Sequence, residues 1–283
     1  MWSLEWAIRG KAAPYKTSVD QLGADQSVVE NGEAASFVGC FGQDACAVYS
    51  NTTKSCHLLS VADGVGGWNK FGYDSGVLAR ELVTQLLVTA PSSSSSSSLP
   101  QDLLASAFTT IKAQGLVKGG STTVCVAMLD VVDGEEGAHL RTANLGDCGY
   151  ALFRDDKLIY LSEQQRSGNT PMQMAIIPDE LLRDESSFCN CDPSSADVQS
   201  HRVQHGDIVL LASDGLWDNL YLPHSVTLEQ WWTLQDRKVN LTAATNKLFG
   251  YALDRMKRPL LPDERKRGKP DDMVVLLARI CFE

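Results

Sequence analysis

Val61-Ala62-Asp63-Gly64-Val65-Gly66-Gly67-Trp68 closes an apolar run that begins at Cys56. Such a run, ending abruptly in an acid and a glycine-rich turn, reads as a buried strand that delivers one carboxylate to a loop. The glycines let the backbone come close to whatever the carboxylate holds, and they free carbonyls to act as ligands. Alone, Asp-Gly after a strand is only a turn, but the device recurs along this chain. Leu210-Leu211-Ala212-Ser213-Asp214-Gly215-Leu216-Trp217-Asp218 is a second apolar run ending in Asp-Gly, and Ala143-Asn144-Leu145-Gly146-Asp147-Cys148-Gly149 is a third strand ending in an acidic turn. Pro270-Asp271-Asp272-Met273 places two acids before a final apolar run, and Gly42-Gln43-Asp44-Ala45 supplies a fifth acidic end. Carboxylates gathered without basic partners repel one another and are costly to desolvate. Hard divalent cations such as Mg²⁺ or Mn²⁺ relieve that cost, because they take oxygen ligands from carboxylates, carbonyls and water.

Length and composition fit one large core. The chain has 283 residues, 43% hydrophobic and 21% charged, ample for extensive burial. The acidic ends span the chain and must converge, which favours one domain over residues 36–283, with residues 1–35 as an N-terminal arm or lead-in strand. A net charge of -10 argues against nucleic acid as a partner. No run of about 18 apolar residues predicts a transmembrane helix. The eight cysteines show no paired C-x-x-C spacing, so zinc is disfavoured and a reduced intracellular protein, cytoplasmic or mitochondrial, is expected. Residues 1–20 lack the apolar core of a signal peptide. Glu5 opposes a mitochondrial presequence, and organelle targeting stays open.

The periodicities predict elements in an order that is not a regular βαβ alternation. Phe37–Cys40 and Ala45–Tyr49 read as strands, with the second pairing to Cys56–Ala62. Gly76–Thr89 and Leu103–Gln114 carry apolar residues at helical spacing. The serine run within residues 91–100 reads as a flexible loop. A meander of short strands follows from Thr123 to Leu161. Residues 162–199 are polar and irregular, and a structureless stretch of that length reads as a substrate-facing flap. Asp207–Ala212 is a strand, Val226–Leu234 and Ala243–Met256 are helices, and Met273–Ile280 is a strand for the middle of a sheet. Arg255 to Lys269 reads as a solvated basic rim. The order fits an α+β fold of two packed antiparallel sheets flanked by helices.

In sequence order, Gln43-Asp44, Asp63-Gly64 with Gly66-Gly67, Gly120-Ser121-Thr122, Asn144-Leu145-Gly146-Asp147, Ala212-Ser213-Asp214-Gly215-Leu216-Trp217-Asp218 and Asp271-Asp272-Met273 resemble the blocks of the metal-dependent protein phosphatase family, PP2C type. The resemblance runs from about residue 37 to the C-terminus. The Asp-Gly-Val-Gly-Gly-Trp form is similar to that of members found in mitochondria and plastids. The resemblance implies a four-layer αββα sandwich with the metal site at one end between the sheets. It implies Mg²⁺ or Mn²⁺, two ions and a weak third, and a monomer acting on phosphorylated protein. Two ions about 3.5–4 Å apart supply an activated hydroxide for in-line attack on phosphorus and neutralise its oxygens. By resemblance the catalytic residues are Asp63, Asp214 and Asp271. Asp63 would bridge the ions, with the Gly64 carbonyl on the second, and Asp214 and Asp271 would hold the first. Asp147 and Asp218, with Asp214, would hold the third ion, and Asp44 would support the second through water. Asp272 would either back the ligands or share ligation with Asp271.

Three positions depart from the family pattern. Many relatives carry Glu at Gln43, a histidine proposed as general acid at Val65, and a phosphate-clamping arginine at Gly39. Lys70, Arg166 and Arg202 are alternative clamps between which the sequence does not choose. The leading expectation is a serine/threonine phosphoprotein phosphatase. A catalytically dead binding or regulatory member is the alternative, favoured by the three departures and opposed by retention of costly acids. A hydrolase of small phosphoesters is a third reading, opposed by the flap-like segment.

Overall fold

The computed structural model describes residues 2–12, 29–31, 34–51, 56–90, 99–131, 138–155, 157–182, 189–220, 224–233, 240–257 and 268–282. The first half contains β1 (Trp2–Lys11), β2 (Val29–Asn31), β3 (Ala34–Phe41), β4 (Asp44–Asn51), β5 (Cys56–Gly64), α1 (Val77–Thr89) and α2 (Pro100–Gln114). The meander follows as β6 (Gly120–Val131), β7 (Ala138–Leu145), β8 (Gly149–Arg154) and β9 (Lys157–Leu161). Then come β10 (Arg166–Ser167), β11 (Thr170–Pro171), β12 (Met174–Ile176), β13 (Asp197–Val203) and β14 (Ile208–Ala212). The chain closes with α3 (Asp214–Trp217), α4 (His224–Thr233), α5 (Leu241–Lys257) and β15 (Met273–Phe282).

Two large antiparallel sheets result. One runs β1-β15-β14-β8-β9, and the other β13-β7-β6-β5-β4-β3-β2, with β12 added beside β6. Side-chain alternation explains why both sheets are buried on both faces. On β14 and β15, Val209, Leu211, Val274 and Leu276 point inward against Cys46, Val48, Leu59 and Val61 of the other sheet. The intervening Leu210, Ala212, Val275 and Leu277 point outward onto Leu216, Leu228, Leu248 and Ala252 of the helices. On the opposite flank, Leu78, Leu82 and Leu86 of α1 and Leu104, Phe108 and Ile111 of α2 cover Ala45, Ala47 and Val126. These three apolar layers between four structural layers form the αββα sandwich.

β1 is the edge strand of its sheet and pairs with β15 from Trp2 opposite Phe282 to Lys11 opposite Met273. His57 ties it to the second sheet: its Nε2 lies 3.1 Å from the Trp2 carbonyl oxygen and its Nδ1 2.8 Å from Ser50 Oγ. Residues 162–182, expected to be irregular, are largely so, with three strands of two or three residues set among them. β10 and β11 make a hairpin, and β12 extends the second sheet where Ile176 to Met174 pair with Gly120 to Thr122. The segment is held by side-chain bonds that periodicity does not report, such as Ser121 Oγ to Gln173 Oε1 at 2.5 Å. The serine run and the loop at 132–137 lie outside the described residues. No helix among the described residues is long and apolar enough to cross a membrane.

Candidate active site

Five strand ends deliver their acids to one end of the sandwich. Asp44 opens β4, Asp63 lies near the end of β5, and Asp147 sits in the β7–β8 turn. Asp214 and Asp218 lie just after β14, and Asp271 and Asp272 just before β15. Asp63 senses the charges of Asp214, Asp44, Asp147 and Asp271. Asp44 and Asp63 are direct partners in the β4–β5 register. Like charges placed directly opposite are destabilising, so this end of the fold requires compensation.

Part of that compensation clamps the sheets together. Ser213 Oγ donates to Asp44 Oδ2 at 2.6 Å and accepts from the Val274 amide at 3.0 Å. The Gln43 amide donates to Asp272 Oδ2 at 2.9 Å. Asp272 therefore faces the β3–β4 turn, and its neighbour Asp271 reaches the acidic cluster. Gly42 adopts φ 73° against Asp272, where a Cβ would collide with the carboxylate. Gly64 is packed as tightly, since a Cβ there would strike the Ser75 and Gln43 carbonyl oxygens. Its amide donates to Gln43 O at 3.1 Å, which fixes the backbone beside Asp63.

Burial, followed by neighbouring carboxylates, pushes the Asp44 and Asp63 carboxyls well above the usual range. Burial and then Asp271 push Asp214 up to about 6, even with Lys269 opposing. Asp147 is raised by burial, with Arg166 working against the shift.

The expectation that the acids lack basic partners is incorrect. Lys269 Nζ lies 2.6 Å from Asp214 Oδ2, 2.9 Å from Asp271 Oδ2 and 3.1 Å from Asp218 Oδ2. Burial alone would lower its pKa, but Asp214 and Asp271 more than reverse that. Arg166 donates to Asp147 Oδ2 at 2.7 Å. The sequence places Lys269 in a solvated basic rim, because spacing gives no sign that the chain folds back there. The signal in the sequence is its place two residues before Asp271.

Among the described residues no three His, Cys, Asp or Glu side chains form a ready cage for an ion. Around Asp214, Asp218 and Asp271 the central point is taken by the Lys269 ammonium. The donor set still suits a hard divalent cation. Its side-chain donors are oxygens, its carboxyls still repel one another at Asp63, and the buried Gln43 Oε1 has no hydrogen-bond partner.

Comparison with known proteins decides the family. The family described as Stage II sporulation protein E (SpoIIE) matches residues 54–281. The protein phosphatase PTC7 homolog fig of Drosophila willistoni is 33% identical over 256 residues, covering 85% of this chain and 78% of the relative. The chain belongs to the PP2C-type protein phosphatases. The fold agrees. The photosystem II phosphatase PBCP superposes with a TM-score of 0.67 at 20% identity, covering 98% of each chain. The catalytic domain of the serine/threonine phosphatase PstP, solved with two manganese ions, gives 0.53 at 17% identity over the full length of both chains.

The phosphatase's cations sort the clamp candidates. Arg166 reaches the cluster, whereas Lys70 is exposed on the turn Gly66–Phe71. Arg202 lies five residues along β13 from Asp197, the residue paired with Asn144 beside the acidic turn. That is about 16 Å from the site end at the rise of a strand. Arg80, not singled out from the sequence, donates to the Gly42 carbonyl at 3.3 Å and pairs with Asp74. The turn after Asp63 is braced by a second unforeseen set: Trp68 Nε1 donates to Ser121 Oγ at 2.6 Å, and the Val65 amide to Ser121 O at 3.0 Å.

Proposed function

We propose that this phosphatase is a divalent-metal-dependent serine/threonine phosphoprotein phosphatase whose ions are held by Asp44, Asp63, Gly64, Asp147, Asp214, Asp218 and Asp271. The observation that carries this reading is the convergence on Asp63 of Asp214, Asp44, Asp147 and Asp271 at one end of the sandwich. Asp63, Asp214 and Asp271 are the residues to which we assign catalysis. When bound, Mg²⁺ or Mn²⁺ would activate water and neutralise phosphate oxygens. The chain's own residues set the stage for that chemistry. Ser213 orients Asp44, Asp272 fixes the Gln43 backbone, and Gly64 brings its carbonyl close beside Asp63. Arg166, on the hairpin next to Asp147, supplies a positive group at the mouth that favours an approaching phosphate dianion. We assign it the clamp role left open by Gly39.

The exposed β10–β11 hairpin brings Arg166 to Asp147 at this site, which supports a protein substrate over a small phosphoester. We place the protein inside the cell, supported by eight cysteines that are all free. The apolar layers close within one chain, which supports a monomer. The test is turnover of a phosphothreonine peptide and of a small aryl phosphate, with Mn²⁺ and with EDTA. Peptide turnover restored by Mn²⁺ and abolished by EDTA is expected. Full activity in EDTA would overturn the metal reading, and turnover of the aryl phosphate alone would overturn the protein-substrate reading.

A further inference from the structure

The segment Gly268-Lys269-Pro270 is built to aim one ammonium into the acidic cluster. Asn219, fully buried, holds residue 269 from both sides of its backbone. Asn219 Nδ2 donates to Lys269 O at 2.8 Å, and Lys269 N donates to Asn219 Oδ1 at 2.9 Å. Asn219 Nδ2 is itself anchored on the Gly215 carbonyl at 2.9 Å, at the start of α3. Gly268 is pressed onto the end of α5, where a Cβ would collide with the Arg255 carbonyl oxygen. Pro270 then restricts residue 269 to extended backbone. The lysine stem is thus fixed at its root. Its three N–H donors meet three carboxylates, with the nitrogen 2.6, 2.9 and 3.1 Å from Asp214, Asp271 and Asp218.

These are the same oxygens that the metal reading uses. A divalent ion held by these three carboxylates would need the space between them that the ammonium fills. Two cations cannot share it. The Lys269 side chain is half exposed, so the four-carbon stem has solvent into which to swing. We propose that Lys269 is a resident competitor for the divalent ion at Asp214, Asp218 and Asp271, so that the chain sets its own metal affinity through an exchangeable internal cation. The proposal rests on the metal reading above. It makes loading of this site graded with divalent-ion supply: the ammonium satisfies the acids at low metal and leaves as metal rises.

The test compares wild type with Lys269→Met, which keeps the stem and removes the charge, and Lys269→Arg, which keeps the charge. Chelator-treated proteins are titrated with Mn²⁺ by calorimetry and melted without metal. Lys269→Met should bind Mn²⁺ about ten-fold more tightly, a factor that corresponds to about 1.4 kcal/mol, and should melt lower than wild type without metal. Lys269→Arg should stay close to wild type in both measurements. A purely structural lysine would give the opposite sign, because its loss would loosen the site and weaken Mn²⁺ binding. Equal or weaker binding by Lys269→Met therefore overturns the proposal while leaving the metal reading intact. If wild type itself neither binds Mn²⁺ nor melts higher with it, the metal reading falls and takes this proposal with it. Should Lys269→Met fail to fold, Lys269→Gln keeps a donor toward the acids and carries the same expected tightening.

Discussion

Asp44 and Asp63 stand directly opposite one another across β4 and β5, and the charge of Asp44 helps to raise the Asp63 carboxyl. Burial and the repulsion of neighbouring carboxylates both favour a proton on this pair. A divalent ion held by this cluster would compete with that proton. Asp63→Asn keeps the shape but removes one ionisable carboxyl. Turnover should fall by more than about 100-fold, beyond the loss typical for the outlying partners of metal ligands. The EDTA-treated variant should melt about 2–4 °C above wild type, as expected for about 1 kcal/mol of relieved repulsion. Asp218 is more exposed and reaches the cluster through Lys269. Asp218→Asn should cost about ten-fold or less, the lower end of the range for outlying partners. Equal losses of turnover at the two positions would contradict this ranking.

Raised carboxyls also make stability depend on pH in a definite direction. Asp44, Asp63 and Asp214 are all shifted upward, Asp214 to about 6. The native state therefore holds more protons than the unfolded chain above the ordinary carboxyl pKa. Without metal, their contribution to stability falls as pH rises through that window. Metal binding needs the deprotonated forms, so its stabilisation grows with pH. The melting-point difference between Mn²⁺-saturated and EDTA-treated protein should be larger at about pH 7.5 than at about pH 5. His57 titrates alike in both samples and cancels. A difference that does not change with pH would rule out these carboxyls as the ion's ligands.

The fold was legible because both periods are clean. Alternation on β14 and β15 sorts Val209 and Leu211 from Leu210 and Ala212, and helical spacing marks Leu78, Leu82 and Leu86. The acidic strand ends were legible for a related reason: each interrupts an apolar run, so each must sit where a strand leaves the core. Lys269 was not legible, because it belongs to no periodic element and its position depends on Asn219, fifty residues earlier. Arg166 was visible only as one of three cations, since its place beside Asp147 depends on a hairpin of two-residue strands. That Asp272 turns to the Gln43 backbone and Asp44 while Asp271 meets Lys269 also needed coordinates. Adjacent residues alternate in direction, but sequence alone does not say which one faces the β3–β4 turn.

His57 should give the fold an acid limb of its own. The ring is buried, and that burial lowers its pKa from 6.5 to about 4. The Trp2 carbonyl can only accept, so Nε2 carries the proton of the neutral ring and Ser50 supplies the bond at Nδ1. A histidine with a lowered folded pKa contributes stability that is complete above about 6.5 and lost as pH falls toward about 4. The displacement corresponds to about 3 kcal/mol at about 1.36 kcal/mol per pH unit. Urea unfolding of EDTA-treated wild type and His57→Gln should converge as pH falls through that window, because the variant has nothing to protonate there. A gap between them that stays constant from neutral to acid pH would show that the fold does not shift His57.

Gln43 offers the sharpest test of where an ion sits. Its backbone is fixed by Asp272 and by the Gly64 amide. Its Oε1 is buried without a partner, 3.3 Å from where a Cβ on Gly66 would lie. An orphaned buried acceptor costs about 1–3 kcal/mol, so this oxygen is positioned to receive a cation or a donor on the Asp63 side of the cluster. Gln43→Glu changes little in shape and adds a negative charge next to Asp44 and Asp63. In EDTA that charge deepens the repulsion, and the variant should melt below wild type. With Mn²⁺ the sign should reverse: higher ligand charge tightens divalent binding, so the half-maximal rate should need less metal. The rate at saturating metal should change little, because the substituted oxygen adds charge at the ion without adding a group that touches phosphate. Superimposable metal titrations for wild type and Gln43→Glu would remove residue 43 from the site and leave Asp44 as the acid that β4 contributes.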